Sequence, residues 1–202
     1  MTRRLLPYGA GAVLLDCADL AETRRLRPAI EQGFAAVTEI VPGARTLLLR
    51  LDRPLTAGER QDLLDLAGTE IPAPTEEATV TLPVDYTGPD LAEVADHTGM
   101  DTDEVVAAHT GQVWTVAFCG FAPGFGYLVG EHDGLAVPRR DRPRTTVPAG
   151  AVGLAGAFSG IYPRSGPGGW QLIGHTDATL WDLDRDPPAL LRPGGRVRFV
   201  VA

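Results

Sequence analysis

The chain has 202 residues, of which 44% are hydrophobic and 22% are charged, the proportions of an ordinary globular protein. Its formal net charge of −8 argues against nucleic acid and anionic membranes as partners, and no apolar run is long enough for a transmembrane helix. All 18 basic residues are arginine, which excludes a P-loop lysine, a Schiff-base lysine and a biotinylated lysine on this chain.

The cysteines and histidines indicate neither a disulfide framework nor a metal site. Cys17 and Cys119 are the only cysteines, and both lie in apolar segments that favour buried free thiols. The four histidines have neither HxH nor HExxH spacing, so no metal ligands are expected. Near the start, Pro7, Tyr8 and Gly9 interrupt the apolar run after a basic pair. This disfavours a secretory signal peptide and favours a cytoplasmic protein.

The first part of the chain reads as alternating strands and helices. The predicted elements are a strand over 12–17, a helix capped by Asp19 and running to about residue 32, strands over 35–41 and 45–51, a helix capped by Thr56, and a strand over 78–84. This βαββαβ order is that of ferredoxin-like domains. We therefore expect an α+β domain over residues 1–84.

Two short helices and then an all-β segment follow. Residues 85–111 are expected to form a helical connector, with Pro89 in a first helical turn, Gly99 as a helix end, and Asp101 and Glu104 at capping-box spacing. From residue 112 onward glycine and proline separate short apolar runs. These runs predict strands over 112–119, 151–156, 169–174, 178–183 and 196–202. The pattern favours a small closed barrel or sandwich over residues 112–202.

Four arginines form the densest charge cluster of this acidic chain. They lie within the segment PRRDRPRTTVPAG, which prolines at 138, 143 and 148 stiffen. Arg139 and Arg144 suit the recognition of a carboxylate or phosphate, because guanidinium groups bind such anions with two parallel hydrogen bonds. Arg140 is expected on a variable surface. The alternative is a solvated loop whose arginines pair with nearby aspartates.

Two glycine-rich segments contain aromatic residues suited to a small-molecule pocket. GFAPGFGYLVG (120–130) alternates glycine with phenylalanine and tyrosine, and GIYPRSGPGGWQLIGHT (160–176) combines turn residues with an aromatic pair. Aromatic rings supply contact area and glycines admit close backbone approach. The second segment is expected to be a shaped loop between strands, with Trp170 and Gln171 as contact residues. A well-made turn without a ligand is the alternative.

Two histidines are candidate general acids or bases. His109 lies near a predicted helix end and His175 follows a glycine in a turn, and histidine titrates near neutral pH. The alternative for both is an ordinary helix-end or surface residue.

These segments together resemble the family that includes the B subunit of 5-oxoprolinase, the sporulation kinase inhibitor KipI and allophanate hydrolase subunit one. The likeness runs from LLPYGAGAVLL to DPPALLRPGGRVRFV and is most specific in GFAPGFGYL, in PRRDRPRTTVPAGAVGLAG and in residues 160–176. It implies an α+β domain followed by a cyclophilin-like β-barrel. Three positions depart from the family pattern, which commonly has serine, glutamine and arginine where this chain has Ala151, Phe158 and His175. The departures affect the substrate more than the fold.

The resemblance implies the B subunit of ATP-dependent 5-oxoprolinase, an enzyme that converts 5-oxo-L-proline to L-glutamate and whose B subunit is inactive without its partners. The implied partners are the C subunit, which is similar to allophanate hydrolase subunit two, and the A subunit, with ATP bound in the assembled complex rather than by this chain alone. With roles assigned from side-chain chemistry, the candidate catalytic residues are His109, Arg144 and Gln171, and the candidate substrate-binding residues are Tyr127, Arg139, Tyr162, Gly168, Gly169, Trp170 and His175.

Two other functions remain open at the level of sequence. A KipI-like inhibitor of a sensor histidine kinase needs an exposed protein-binding surface but no polar pocket. A carboxyltransferase component of a biotin-dependent enzyme similar to urea carboxylase needs a biotinylated partner.

Overall fold

The computed structural model describes residues 3–67 and 79–202 of the chain. It divides the chain into two compact units, residues 1–73 and residues 74–202, and each unit has its own hydrophobic core. Within the described residues, no helix is long and apolar enough to cross a membrane.

The described residues of the first unit, 3–67, form a four-stranded antiparallel sheet and two helices. Its elements are β1 (Arg4–Pro7), β2 (Ala12–Asp16), α1 (Leu20–Gly33), β3 (Val37–Pro42), β4 (Thr46–Leu51) and α2 (Ala57–Asp65). The strands lie in the order β1-β2-β4-β3. Asp19 caps α1 by accepting a hydrogen bond from the Glu22 N–H at 2.7 Å, and Thr56 caps α2 in a capping box with Glu59. Both N-caps are those that the sequence predicts.

The core of the first unit forms between α1 and one face of the sheet. Leu15, Leu47 and Leu49 recur at every second strand position, while Leu26 and Ile30 are one helical turn apart on α1. All five side chains are fully buried. Each contributes about 1.5–3 kcal/mol to stability by leaving water.

The predicted ferredoxin-like order of the first unit is not confirmed. The strand predicted over 78–84 begins at a residue outside the described part of the chain, and the strand observed is β5 (Val80–Val84). It belongs to the second unit, where it pairs in parallel with a strand over Arg196–Val201. Leu82 and Val84 are buried in the core of that unit, since strand alternation fixes which face is apolar but not which sheet the strand joins.

The second unit adds two helices and eight further strands to β5. They are α3 (Leu91–Thr98), α4 (Thr102–Thr110), β6 (Trp114–Cys119), β7 (Gly126–Val129), β8 (Arg144–Val147), β9 (Ala151–Ala155), β10 (Phe158–Ile161), β11 (Gly166–Gly168), β12 (Gln171–His175) and β13 (Arg196–Val201). Gly99 ends α3 with a φ of 72°, and Asp101 and Glu104 form the predicted capping box on α4.

Seven of these strands form a nearly closed, barrel-like sheet. Their order is β12-β9-β10-β7-β6-β13-β5. The two edges meet just after β5, where Asp85 and His175 exchange two backbone hydrogen bonds of 2.8 Å. Beyond this bridge, the Asp90 N–H donates to the Leu172 carbonyl at 2.9 Å. The chain leading into α3 is therefore held along β12.

Two segments of the second unit differ from the sequence prediction. Residues 178–183 do not form a strand, and only an isolated bridge joins Trp181 to Ala189. The strand predicted over 169–174 is observed as β12, but the residues before it, expected to be a loop, also contain β11, which pairs with β8. The register of this pairing shifts between Gly166 and Gly168, as at a β-bulge.

Candidate ligand-binding site

A small aromatic-walled cavity of about 200 Å³ lies on the second unit. It is built by the loop after β6, the start of β7, the loop before β8, and the segment from β11 into β12. Its lining residues are Phe121, Phe125, Tyr127, Arg139, Pro143, Tyr162, Pro167, Gly168, Gly169 and Trp170. Six of the ten residues predicted from sequence to act at a site therefore meet here, and the volume suits one small molecule.

The walls of the cavity are rings that contact one another edge to face. The Phe125 ring centroid lies 5.0 Å from that of Tyr127 and 5.4 Å from those of Tyr162 and Trp170. Behind the wall, Phe118 stacks on Tyr127 at 4.3 Å. Such ring pairs add attraction beyond simple burial, so the rings of the wall stabilise one another.

Phe121 forms the outer lip of the cavity. Its backbone has a φ of 70°, a left-handed conformation that is uncommon for a residue with a bulky side chain. Hydrogen bonds from the Phe125 N–H to the Ala122 carbonyl and from the Gly120 N–H to the Phe125 carbonyl hold the surrounding turn. The ring is 60% exposed and still contacts Phe125 at 5.3 Å. An aromatic surface is thus presented to solvent at the cavity mouth.

Arg139 is the cationic group that lines the cavity. Within residues 3–67 and 79–202, no carboxylate lies within ion-pair distance of its guanidinium. Burial raises the pKa of the Tyr127 and Tyr162 hydroxyls, and the nearby charge of Arg139 acts in the opposite direction on both. The cavity therefore combines an uncompensated positive charge with two neutral phenols, a combination that suits a small carboxylate.

Tyr162 and Gly168 meet at the floor of the cavity. A methyl group at Gly168 would lie only 2.3 Å from the Tyr162 hydroxyl oxygen. Glycine is required at 168 because the backbone approaches the phenol too closely for any side chain.

Beside the cavity, the buried carboxylate of Asp90 accepts hydrogen bonds from Arg140 and Arg144. Arg144 donates to Oδ2 from Nη1 at 2.8 Å and to Oδ1 from Nη2 at 2.7 Å, and Arg140 also donates to Oδ1. The Leu172 N–H donates to Oδ2 at 2.7 Å, and Asp90 is only 2% exposed. Asp90 holds the pKa of the Arg144 guanidinium above its usual value. The expected anion contact of Arg144 is thus taken by an internal carboxylate, and Arg140 is no free surface residue.

Gln171 lies next to this ion-pair cluster and not in the cavity. Its side chain is fully buried, and Nε2 donates to Glu93 Oε1 at 3.1 Å. Its Oε1 atom is buried without a hydrogen-bond partner among the described residues. Alternation along β12 explains the placement, since Trp170 lines the cavity and the next side chain points away from it.

His109 lies in the barrel core, and a role as general acid or base does not follow from this position. The ring is 0% exposed and stacks on Phe199 at 4.3 Å. Nδ1 is 2.7 Å from the Tyr86 hydroxyl and Nε2 is 2.9 Å from Ser159 Oγ. Burial lowers the pKa of His109 to about 3, so the ring is neutral near pH 7. Both nitrogens are occupied by structural partners.

His175 lines a different cavity of about 290 Å³, together with Thr176, Asp177 and Trp181. Its Nδ1 is 3.7 Å from the exposed carboxylate of Asp177. The structure therefore separates His175 from the aromatic cavity. No group of three or more histidine, cysteine, aspartate or glutamate side chains in the described part of the chain could hold a metal ion.

The sequence pattern gives no indication of Asp90 as a site residue, because an aspartate before an apolar helix reads as an N-cap. Asp90 does precede α3, but its side chain caps nothing there and is used by the arginines. Phe121 and Pro143 also line the cavity without being singled out, although both lie in segments whose composition indicates a pocket.

Comparisons with known proteins agree with this architecture. Residues 3–191 match the family described as carboxyltransferase domain, subdomain C and D. A protein of Escherichia coli O157:H7, named as the B subunit of 5-oxoprolinase, is 44% identical over 169 residues, which are 81% of this chain and 78% of that protein. A protein of the same name from Bacillus subtilis (strain 168) is 48% identical over 124 residues, covering 60% of this chain and 52% of that protein. The match thus spans about half the length of the Bacillus protein.

Solved structures share the fold. A crystal structure of TTHA0988 superposes with a TM-score of 0.70 and 36% identity, over 99% of this chain and 40% of that chain. PH0987 of Pyrococcus horikoshii gives a TM-score of 0.59 and 31% identity, over 98% and 97% of the two chains. The urea amidolyase of K. lactis gives a TM-score of 0.75 at 20% identity, over 99% of this chain and 15% of that chain, and so is similar in fold alone.

Proposed function

The chain belongs to the family of carboxyltransferase domains, subdomains C and D, and we propose that it is the B subunit of an ATP-dependent 5-oxoprolinase. In this proposal it converts 5-oxo-L-proline to L-glutamate together with the A and C subunits and has no activity alone. The names of the relatives from Escherichia coli and Bacillus subtilis support this function. The observation that carries it is the uncompensated Arg139 guanidinium at an aromatic cavity of about 200 Å³.

The chemistry of 5-oxoproline fits such a cavity. The molecule has a carboxylate on a compact five-membered lactam ring. In the proposed binding mode Arg139 holds the carboxylate through two charge-assisted hydrogen bonds, and the lactam ring lies against Tyr127 and Trp170. The amide carbonyl of a lactam is poorly electrophilic, so its opening requires activation before water attacks.

In the assembled enzyme, ATP would supply that activation as a phosphoryl donor. The residues of this chain do not fit a triphosphate: the chain has no lysine, and among the described residues that line the cavity Arg139 is the one cation, with aromatic rings around it. We therefore assign ATP to the partner subunits. In the proposal this chain binds and orients the lactam, and the aromatic wall of its cavity keeps water away from the activated substrate.

The exposed position of Phe121 supports a shared site. The cavity mouth is open to solvent, and one wall is a phenylalanine that is 60% exposed. In the proposal a partner protein covers this mouth and contributes the acid and base that the cavity lacks. A cyclophilin-like assignment of the barrel and a cytoplasmic location, where ATP is supplied, belong to the same proposal.

A reconstitution tests the proposed function. Mixed with its cognate A and C subunits, the protein should release glutamate from 5-oxoproline with ATP consumption, and leaving it out should abolish release. Arg139→Gln should raise the KM for 5-oxoproline at least tenfold, because a charged contact to the substrate is lost. The matched control is Arg142→Gln, an exposed arginine of the same loop, which should stay within twofold of the parent. Undiminished glutamate release without this protein would contradict the proposal, and inhibition of sensor-kinase autophosphorylation would favour the regulatory alternative.

A further inference from the structure

The loop that carries Arg139 is fastened from the side opposite to the cavity. Arg140, the next residue, and Arg144, at the start of β8, both donate hydrogen bonds to Asp90. These neighbouring side chains lie on different sides of the loop: Arg140 donates to Asp90, while Arg139 lines the cavity.

A backbone hydrogen bond also holds the loop that carries Arg139 close to Gly169, which lines the cavity. The Arg140 N–H donates to the Gly169 carbonyl at 2.9 Å. A methyl group at Gly169 would lie 3.8 Å from Arg139 Nε, so the guanidinium stem passes directly over this glycine. Proline at 143 also contacts this position and limits the bending of the loop. The direction of Arg139 is therefore set by a short, stiff segment with two anchors.

Asp90 is the electrostatic part of this anchor. It is buried, and it balances two guanidinium groups that lie on either side of the loop tip. Glu93 is a poor substitute, because it is half exposed and its Oε2 is 3.5 Å from Arg140. Without the charge of Asp90, Arg140 and Arg144 would be two uncompensated cations in the loop that carries Arg139. Like charges at such short range repel one another, and the loop would lose its single orientation.

We propose that Asp90 is a positioning residue for substrate binding: it holds Arg140 and Arg144 so that Arg139 alone presents its charge to the carboxylate of the ligand. The inference rests on the proposed function, in which Arg139 binds the carboxylate of 5-oxoproline. Asp90 does not line the cavity and acts on the ligand only through Arg139.

A double-mutant cycle in the reconstituted enzyme tests this role. Asp90→Asn should raise the KM for 5-oxoproline about tenfold and leave kcat within twofold, since the effect is on ligand capture. The same substitution made in the Arg139→Gln background should change the KM by less than twofold, because the group through which Asp90 acts is already gone. A residue needed only for folding would change the KM, if at all, by the same factor in both backgrounds.

Two further variants keep the test decisive if Asp90→Asn folds poorly. Arg140→Gln removes one anchor, leaves the Arg144 pair in place, and should raise the KM about threefold in the parent background and not in the Arg139→Gln background. Leu82→Ala, in the barrel core, lowers stability without touching the loop and should leave the KM within twofold.

The outcomes separate this inference from the proposed function. If the parent enzyme releases no glutamate, the function itself fails. If the parent is active and the effect of Asp90→Asn is equal in both backgrounds, or absent in the parent, the positioning role is wrong while the function stands.

Discussion

Arg144 and Asp90 are joined by two parallel hydrogen bonds of 2.8 and 2.7 Å around a carboxylate that is almost fully buried. A guanidinium and a carboxylate in this geometry form one of the stronger polar contacts of a protein. Because α3 and β12 also meet at Asp90, the pair connects the loop before β8 to the frame of the barrel.

Removing Arg144 should therefore destabilise the second unit. We expect Arg144→Ala to lower the free energy of unfolding by about 1.5–3 kcal/mol, the range for hydrogen bonds to charged groups. Denaturant unfolding followed by tryptophan fluorescence measures this, since Trp114, Trp170 and Trp181 all belong to the second unit. Arg142→Ala, at an exposed position of the same loop, should cost less than about 0.5 kcal/mol. Equal losses for the two variants would mean that the ion pair contributes no stability.

Adding one methyl group at Gly168 should block the cavity. The new Cβ would lie 2.3 Å from the Tyr162 hydroxyl, so the Tyr162 ring or the backbone at 168 must shift, and both line the cavity. We expect Gly168→Ala to weaken 5-oxoproline binding at least tenfold in the assembled enzyme and to cost about 1–3 kcal/mol of stability. Gly166→Ala on the same strand has nothing within 4 Å of its Cβ and serves as the control. Normal binding by Gly168→Ala would show that the ligand does not occupy this cavity.

His109 should make the second unit less stable in acid. Its pKa is lowered to about 3 by burial, so between the ordinary histidine pKa of about 6.5 and this value the unfolded chain binds one more proton than the folded chain. The contribution is fully present above about pH 6.5 and is lost as the pH falls, by about 1.4 kcal/mol per unit down to pH 5. Urea unfolding of the parent and of His109→Gln at pH 7.5 and pH 5 measures it. The parent should lose more stability than the variant, and identical pH dependence would contradict the assignment.

Gln171 should tolerate an apolar replacement of the same length. Its Oε1 atom is buried without a partner among the described residues, so Gln171→Met removes one unsatisfied acceptor along with one hydrogen bond to Glu93. We expect a change in the free energy of unfolding of less than about 1 kcal/mol, and a KM for 5-oxoproline within twofold of the parent. A large loss of kcat with unchanged stability would restore the catalytic role that the sequence suggests for this residue.

Local signals account for most of the helices and strands. Asp19, Thr56 and Asp101 cap helices where the sequence predicts them, because the signal and the partner lie within three residues. Such local signals could not predict the sheet to which β5 belongs. Its partner β13 lies more than a hundred residues later, and a strand with valine or leucine at every second position is compatible with either core.

Local sequence signals likewise predict one part of the candidate site and not the other. The aromatic and glycine residues of the cavity wall were predictable, since their composition indicates a shaped pocket wherever the chain places them. Which arginine remains available to a ligand was not predictable, because Asp90 takes Arg140 and Arg144 and leaves Arg139. That choice depends on a carboxylate some fifty residues earlier in the chain.

The pairing of β5 with β13 has a consequence for synthesis on the ribosome. Val80 pairs with Val197, so β5 leaves the exit tunnel long before its partner strand is synthesised. Until then its strand edge is unpaired, and Leu82 and Val84, which are buried in the folded protein, lack their complete core. The first unit has all its described strands and helices within residues 4–65 and can fold during that interval. The barrel cannot complete its sheet until residues 196–201 emerge, so the unpaired edge of β5 is open to wrong pairing throughout that interval.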